Sequence, residues 1–133
     1  MRLDIYLNYP GTCEEAFNFY AQHLNARLGP ISRHRQGANP NIPPDWKDKV
    51  MHADIEIGNA TLMGADIPGA QPVRSAYVTL TLDTVADAER IYGVLSDGGE
   101  IFMKMEETFF AKRFAMLRDR FGTSWMLLCR AVA

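Results

Sequence analysis

Three polar side chains stand at alternate positions of one otherwise apolar segment: His52, Asp54 and Glu56. Residues two apart in a strand share a face, so an imidazole and two carboxylates would project together. Such groups suit a divalent ion. His and Glu can also move protons, because His titrates near neutrality and burial tunes Glu. Neighbouring side chains on one strand face diverge from any single point, and outward polar faces are common on strands, so no metal is assigned. His52 and Glu56 are taken as ligand-contacting residues. His23 and His34 are read as surface residues and given no role.

Other sources of chemistry are excluded by pattern. No G-x-S-x-G elbow, H-E-x-x-H pair, P-loop or dinucleotide fingerprint is present, which removes the commonest hydrolase, zincin and nucleotide-dependent signatures. Lys112, Arg113, Arg118 and Arg120 gather near the C-terminus, where they could hold an anion, but Glu106, Glu107 and Asp119 are interleaved with them. A solvated face of mixed charge accounts for that pattern. Net charge is -2, which gives no reason to expect nucleic acid. Cys13 and Cys129 are far apart and in no metal-binding spacing, so free thiols in a reducing cytoplasm are expected. The longest apolar run, residues 125–129, is too short to span a bilayer.

The elements that must carry these residues can be read from periodicity. Residues 3–8 alternate as a strand and stop at Pro10-Gly11, and Thr12 is placed to cap a helix with Glu15 completing a capping box. Cys13, Ala16, Phe17, Tyr20 and Leu24 then form one apolar stripe. Gly29-Pro30 is expected to end this unit, followed by a strand at 31–35 and a polar, Pro-rich loop at 36–49 containing Trp46. A long loop of this kind suits a lid, an interface or simple packing. Residues 50–57 and 60–64 read as a hairpin about Gly58-Asn59.

After a Gly- and Pro-rich linker at 68–74 the order repeats: a strand at 76–82, a helix from a Thr84 cap to about residue 95, a stop at Gly98-Gly99, and strands at 100–106, 113–118 and 124–130. Thr84 follows Thr12 by 72 positions, and each is followed three residues later by an acid and eight later by a Tyr. One domain of 133 residues is expected, α+β in class, made of two βαβββ modules at 1–67 and 75–133. Each has a curved mixed sheet and a helix on its outer face. Alternation puts Val78, Leu80 and Leu82 under a helix and Tyr77, Thr79 and Thr81 on the opposite side. Tyr77, Thr79 and Trp125 join His52 and Glu56 as candidate ligand contacts.

Several segments together resemble a known family. The runs Gly11 to Ala16 with Phe19-Tyr20, Val50 to Ala53, Leu62 to Asp66, and Asp119 to Trp125 are similar to the PhnB-like, demethylubiquinone-methyltransferase-like branch of the vicinal oxygen chelate superfamily. That superfamily includes glyoxalase, bleomycin-resistance proteins and extradiol dioxygenases. The resemblance implies a glyoxalase-like fold, a ligand cleft commonly closed by dimerisation and, in the enzymes, a divalent metal held by His and Glu. Its usual His positions fall at about Ile5 (or Asp4) and on Tyr77, and its usual Glu positions near Met63 and on Met126. Hydrocarbon and thioether side chains are poor partners for hard ions, so neither a metal nor another cofactor is expected.

Three readings remain open: a metal-free, homodimeric, cytoplasmic small-molecule-binding protein; an enzyme using a relocated metal or a His52/Glu56 acid-base pair on a carbonyl substrate; and a structural or regulatory dimer with a filled cleft. None involves nucleic acid or a membrane.

Overall fold

The computed structural model describes residues 1–37 and 39–130 and divides into two compact units that meet between Gln71 and Pro72. In the first, β1 (Ile5–Tyr9), α1 (Cys13–His23), β2 (Arg27–Arg33), β3 (Val50–Ile57) and β4 (Ala60–Asp66) build a sheet of order β1-β4-β3-β2. In the second, β5 (Val78–Leu82), α2 (Val85–Ser96), β6 (Glu100–Glu106), β7 (Ala111–Arg118) and β8 (Ser124–Arg130) build the order β5-β8-β7-β6. Pairing is parallel for β1 with β4 and for β5 with β8, and antiparallel elsewhere. Both units are therefore βαβββ with mixed sheets and the same topology. Among the described residues, no helix is long and apolar enough to cross a membrane.

Each helix packs on the sheet of its own unit. The seam of α1, Cys13, Ala16, Phe17 and Tyr20, is fully buried, and it faces Ala53, Ile55 and Leu62 from the strands beneath. Approach is closest at Gly64, where an added Cβ would lie 2.7 Å from the Phe17 ring and 3.1 Å from Cys13 Sγ. Burial and two neighbouring acids, Asp66 and Glu14, push the Cys13 thiol up to about 12, so it stays protonated and serves as packing. Helix α2 buries Ala88, Ile91 and Leu95 in the same manner.

The helix starts differ from one another. Thr84 caps α2 as expected, its Oγ1 accepting from the Asp87 N–H at 3.1 Å. Thr12 makes no such bond: its hydroxyl is buried without a partner, and Glu15 is exposed. The N-terminus of α1 is instead held by Asp66 from the end of β4. Its Oδ1 accepts from the Gly11 and Cys13 N–H groups at 3.1 and 2.9 Å, and its Oδ2 from Val50 N–H at 2.9 Å.

Strand β2 also departs from expectation. It begins at Arg27 and runs through Gly29-Pro30, with the pairing register to β3 broken between Leu28 and Ile31. Pro30 cannot donate to a ladder, but on an edge strand a bulge absorbs the fault without ending the strand. The hairpin forms as predicted, with Gly58 at φ 59° in its two-residue turn. In the polar loop, residues 34–36 and 44–46 form 3₁₀ turns, and half-buried Trp46 lies against Gly11 and His34.

Gly93, exposed within α2, has nothing within 4 Å of its Cβ position. Gly93→Ala is expected to raise stability by about 0.5–1 kcal/mol through helix propensity alone. Urea unfolding checks this; a loss of stability would contradict the open surroundings of that position.

Candidate functional site

Within the first unit, the helix covers one sheet face and the other remains open. Burial follows the alternation: Ala53, Ile55 and Ile57 are buried, whereas His52, Asp54 and Glu56 have side chains 40%, 49% and 56% exposed. On the adjoining strands the register sets Tyr6 opposite Met63 and Met63 opposite Asp54, and one step along it sets Thr61 opposite Glu56 and Glu56 opposite Arg27. Tyr6, Met63 and Asp54 thus form a row across three strands.

The hydrogen-bond partners of His52 are residues other than Glu56. Nε2 of His52 lies 2.8 Å from Asp54 Oδ1, and its Nδ1 lies 3.2 Å from the Tyr6 hydroxyl. An ionised carboxylate only accepts, so in the neutral imidazole Nε2 carries the proton and Nδ1 accepts from Tyr6. The two rings are tilted at 43° with centroids 5.6 Å apart. Partial burial, then the nearby Cys13 and Asp54, raises the Tyr6 phenol above its ordinary range, so it is a proton-bearing group at neutral pH. Glu56 is engaged elsewhere, ion-paired to Arg27 at 2.6 Å. A cavity of about 350 Å³ opens beside this face, bounded by Arg2, Arg27, Asp54, Glu56 and Thr61 together with 28–30.

A second cavity, of about 410 Å³, lies at the start of α1. Arg33 spans it, donating to both Glu14 carboxylate oxygens at 2.9 and 3.0 Å and holding that carboxyl below its usual range. Lys49 Nζ donates to Gly11 O at 2.9 Å. These contacts tie the polar loop to the helix.

In the second unit Thr79 is exposed on the open face and pairs with Met126, which in turn pairs with Met116. Tyr77 stands just before β5; its ring is edge-on to Phe102, and Arg74 donates to its hydroxyl at 3.4 Å. The Arg74 guanidinium sits 4.0 Å over the same Phe102 ring. Trp125 lies on the opposite side from Thr79. It pairs with Val78 and Leu117, is fully buried, and donates its indole N–H to Asp119 Oδ2 at 2.8 Å. Asp119 Oδ1 also accepts from the Phe121 and Thr123 N–H groups, both at 3.0 Å. The Asp119 to Trp125 run is thus a buried turn lock, and it supports the sheet from behind. Of the basic cluster, Arg113 pairs with Glu89 at 3.1 Å and Arg118 with Glu100 at 2.9 Å, as a mixed-charge face should.

The five candidates therefore divide among separate surroundings. His52 and Glu56 share a sheet face in the first unit, Tyr77 and Thr79 lie in the second, and Trp125 is interior. Tyr6, Arg27 and Asp66 were not singled out by sequence. Only the cross-strand register could have brought Tyr6 to His52, 46 positions apart.

The fold and the open-faced sheets define the class. The family described as Glyoxalase/Bleomycin resistance protein/Dioxygenase superfamily matches residues 2–127, and the chain belongs to it, with the α+β, glyoxalase-like architecture of two similar modules. The chain is 31% identical to Protein YjdN of Escherichia coli (strain K12), over 96% of this chain and 94% of that protein. The crystal structure of protein PA1353 from Pseudomonas aeruginosa superposes with a TM-score of 0.84 at 38% identity, covering 98% of both chains. The fold is also that of a putative 3-demethylubiquinone-9 3-methyltransferase, PhnB protein, from Bacillus cereus, with a TM-score of 0.82 at 24% identity over 97% of this chain and 99% of that one.

At the positions that the family resemblance gives to the metal ligands stand Ile5 (paired with Leu62), Tyr77, Met63 and Met126. Among the described residues no three His, Cys, Asp or Glu side chains gather within reach of one ion. A hydrocarbon, a phenol and two thioethers do not fit a hard divalent cation.

Proposed function

We propose that this protein binds a small organic molecule as a homodimer, without the superfamily's usual metal, through the open sheet faces bearing His52, Glu56, Tyr77 and Thr79. One observation supports the reading: His52, Glu56 and Thr79 stand exposed or half-exposed on the sheet faces away from the helices, with Met63 and Met126 in register on the adjoining strands. Sites of this kind combine an apolar body with a few polar contacts, as Met63 and Met126 beside His52 and Thr79 would supply. Exposed apolar side chains, among them Ile101, Met103 and Phe110, favour a second copy as partner.

Thermal-shift screening against metabolite and antibiotic libraries is the test. A ligand at a hundred times its Kd should stabilise the native state by about 2.7 kcal/mol. Two results would overturn the reading: no compound raising the melting temperature, or a stoichiometric Mn, Fe, Ni or Zn that activity requires.

A second reading, an enzyme working by proton transfer, is favoured by the contact between His52 and Asp54. Under it His52→Ala abolishes turnover of the identified ligand and leaves the fold intact. Unchanged turnover would remove His52 from the chemistry.

A further inference from the structure

We propose that Tyr6 is an acyl-accepting nucleophile, served by His52 as base and Asp54 as the group that orients the base, and that small aryl esters are its substrates. The assignment goes beyond binding, though it places the chemistry on the first of the two faces read above as ligand walls. It rests on a hydroxyl–imidazole–carboxylate chain of two consecutive contacts, 3.2 and 2.8 Å long. Such a chain is the arrangement that activates hydroxyl nucleophiles generally, whatever fold carries it. Here the carboxylate lies on Nε2 and the hydroxyl on Nδ1, the reverse of the common order, but the roles depend on connectivity and not on which nitrogen is used.

Access and surroundings agree. Tyr6 is 46% exposed on the open face. Asp54 lines the cavity of about 350 Å³, whereas Tyr6 and His52 are not among its lining residues, so an ester would meet Tyr6 on the open sheet face beside that cavity. Arg2 and Arg27, on the same wall, are tied to Asp4 and Glu56, so the cavity offers compensated charge and suits an uncharged substrate. Burial keeps the phenol protonated at neutral pH, and a base is therefore needed before it can attack.

The step balances without a further reactant except water. Tyr6 Oη bonds to the acyl carbon as its proton passes to His52 Nδ1, and the ester C–O bond breaks. The leaving aryloxide takes that proton. Water then attacks the tyrosyl ester, gives a proton to Nδ1, and Tyr6 recovers it as the acid departs. The tyrosyl ester is less activated than a nitrophenyl ester, so its attack by water is the slower half and the acyl-enzyme accumulates.

p-Nitrophenyl acetate is the probe, with nitrophenolate release followed by absorbance and the acetylated position found by peptide mass spectrometry. The expected result is acetyl-Tyr6 in the wild type and its loss in Tyr6→Phe. In His52→Ala, and in His52→Gln should the alanine variant not fold, acetylation of Tyr6 should slow about 100-fold, the usual contribution of a positioned base. Asp54 is a positioning residue, and ¹⁵N NMR should show the His52 Nε2–H tautomer in the wild type and a mixture in Asp54→Ala. Acetyl groups confined to lysines or the chain's α-amine, or an unchanged rate in the His52 variants, would overturn the proposal. Failure of the binding reading shows separately, as libraries that leave the melting temperature unmoved.

Discussion

Asp66→Ala should cost about 4 kcal/mol or more and leave the first unit barely folded. The carboxylate is 1% exposed and accepts from three backbone N–H groups, those of Gly11, Cys13 and Val50. Each donor abandoned in a buried place loses about 1–3 kcal/mol, and bonds to a charged acceptor stand at the upper end. A whole domain has only about 5–15 kcal/mol in hand. Alanine would free the entry to α1 and the start of β3 together, because the same side chain fixes both. Asp66→Asn separates charge from geometry: one oxygen can still serve Gly11 and Cys13, but the amide then turns an N–H toward the N–H of Val50. It should fall between wild type and alanine. Urea unfolding followed by circular dichroism measures the series, and a loss under about 1 kcal/mol for alanine would show that water can replace the carboxylate.

Asp66 also marks where sequence reading stops. The strand and hairpin at 50–66 were legible because they are local: period two sorts Ala53, Ile55 and Ile57 from His52, Asp54 and Glu56, and Gly58-Asn59 makes the turn. Thr84 behaved as its local motif predicts. Thr12 did not, because a carboxylate 53 residues from Cys13 outcompetes its hydroxyl for the helix N-terminus, and no local pattern records such a contact. Strand β2 started early for a related reason: a Gly-Pro pair reads as a break, yet an edge strand needs ladder bonds on one side only. For the candidate site, His52 was legible as a type and a face, while its partners were not. Parity within β3 placed Glu56 on the same face, whereas the successive registers of β3 with β4 and of β4 with β1 bring Tyr6 to it, and Glu56 is ion-paired to Arg27. Trp125 shows the same limit in the second unit. It was named among the ligand contacts, but its parallel pairing with Val78 assigns it to the buried face.

Gly99→Ala should be the most damaging single methyl added to the second unit. A Cβ there would lie 2.2 Å from the Arg118 carbonyl oxygen, 3.1 Å from Asp119 Cα and 3.2 Å from the Arg118 carbonyl carbon. All three are backbone atoms, so no side chain can swing aside. Relief requires the start of β6 to move off β7, which breaks the Glu100–Arg118 pairing and disturbs the turn in which Gly99 N–H donates to Ser96 O at 3.0 Å. Overpacking where side chains can adjust costs about 1–3 kcal/mol; with backbone on the other side the cost should reach about 3 kcal/mol or more. The disturbance lies next to the buried Asp119, which holds the turn and the Trp125 indole, so the change should reach the core of that unit and redshift Trp125 fluorescence. Gly93→Ala, a methyl added a few residues earlier in open space, is the matched control with the opposite sign. Should Gly99→Ala melt with Gly93→Ala, β6 and β7 must be free to part at this end, and the close contact between them would not be a constraint on the fold.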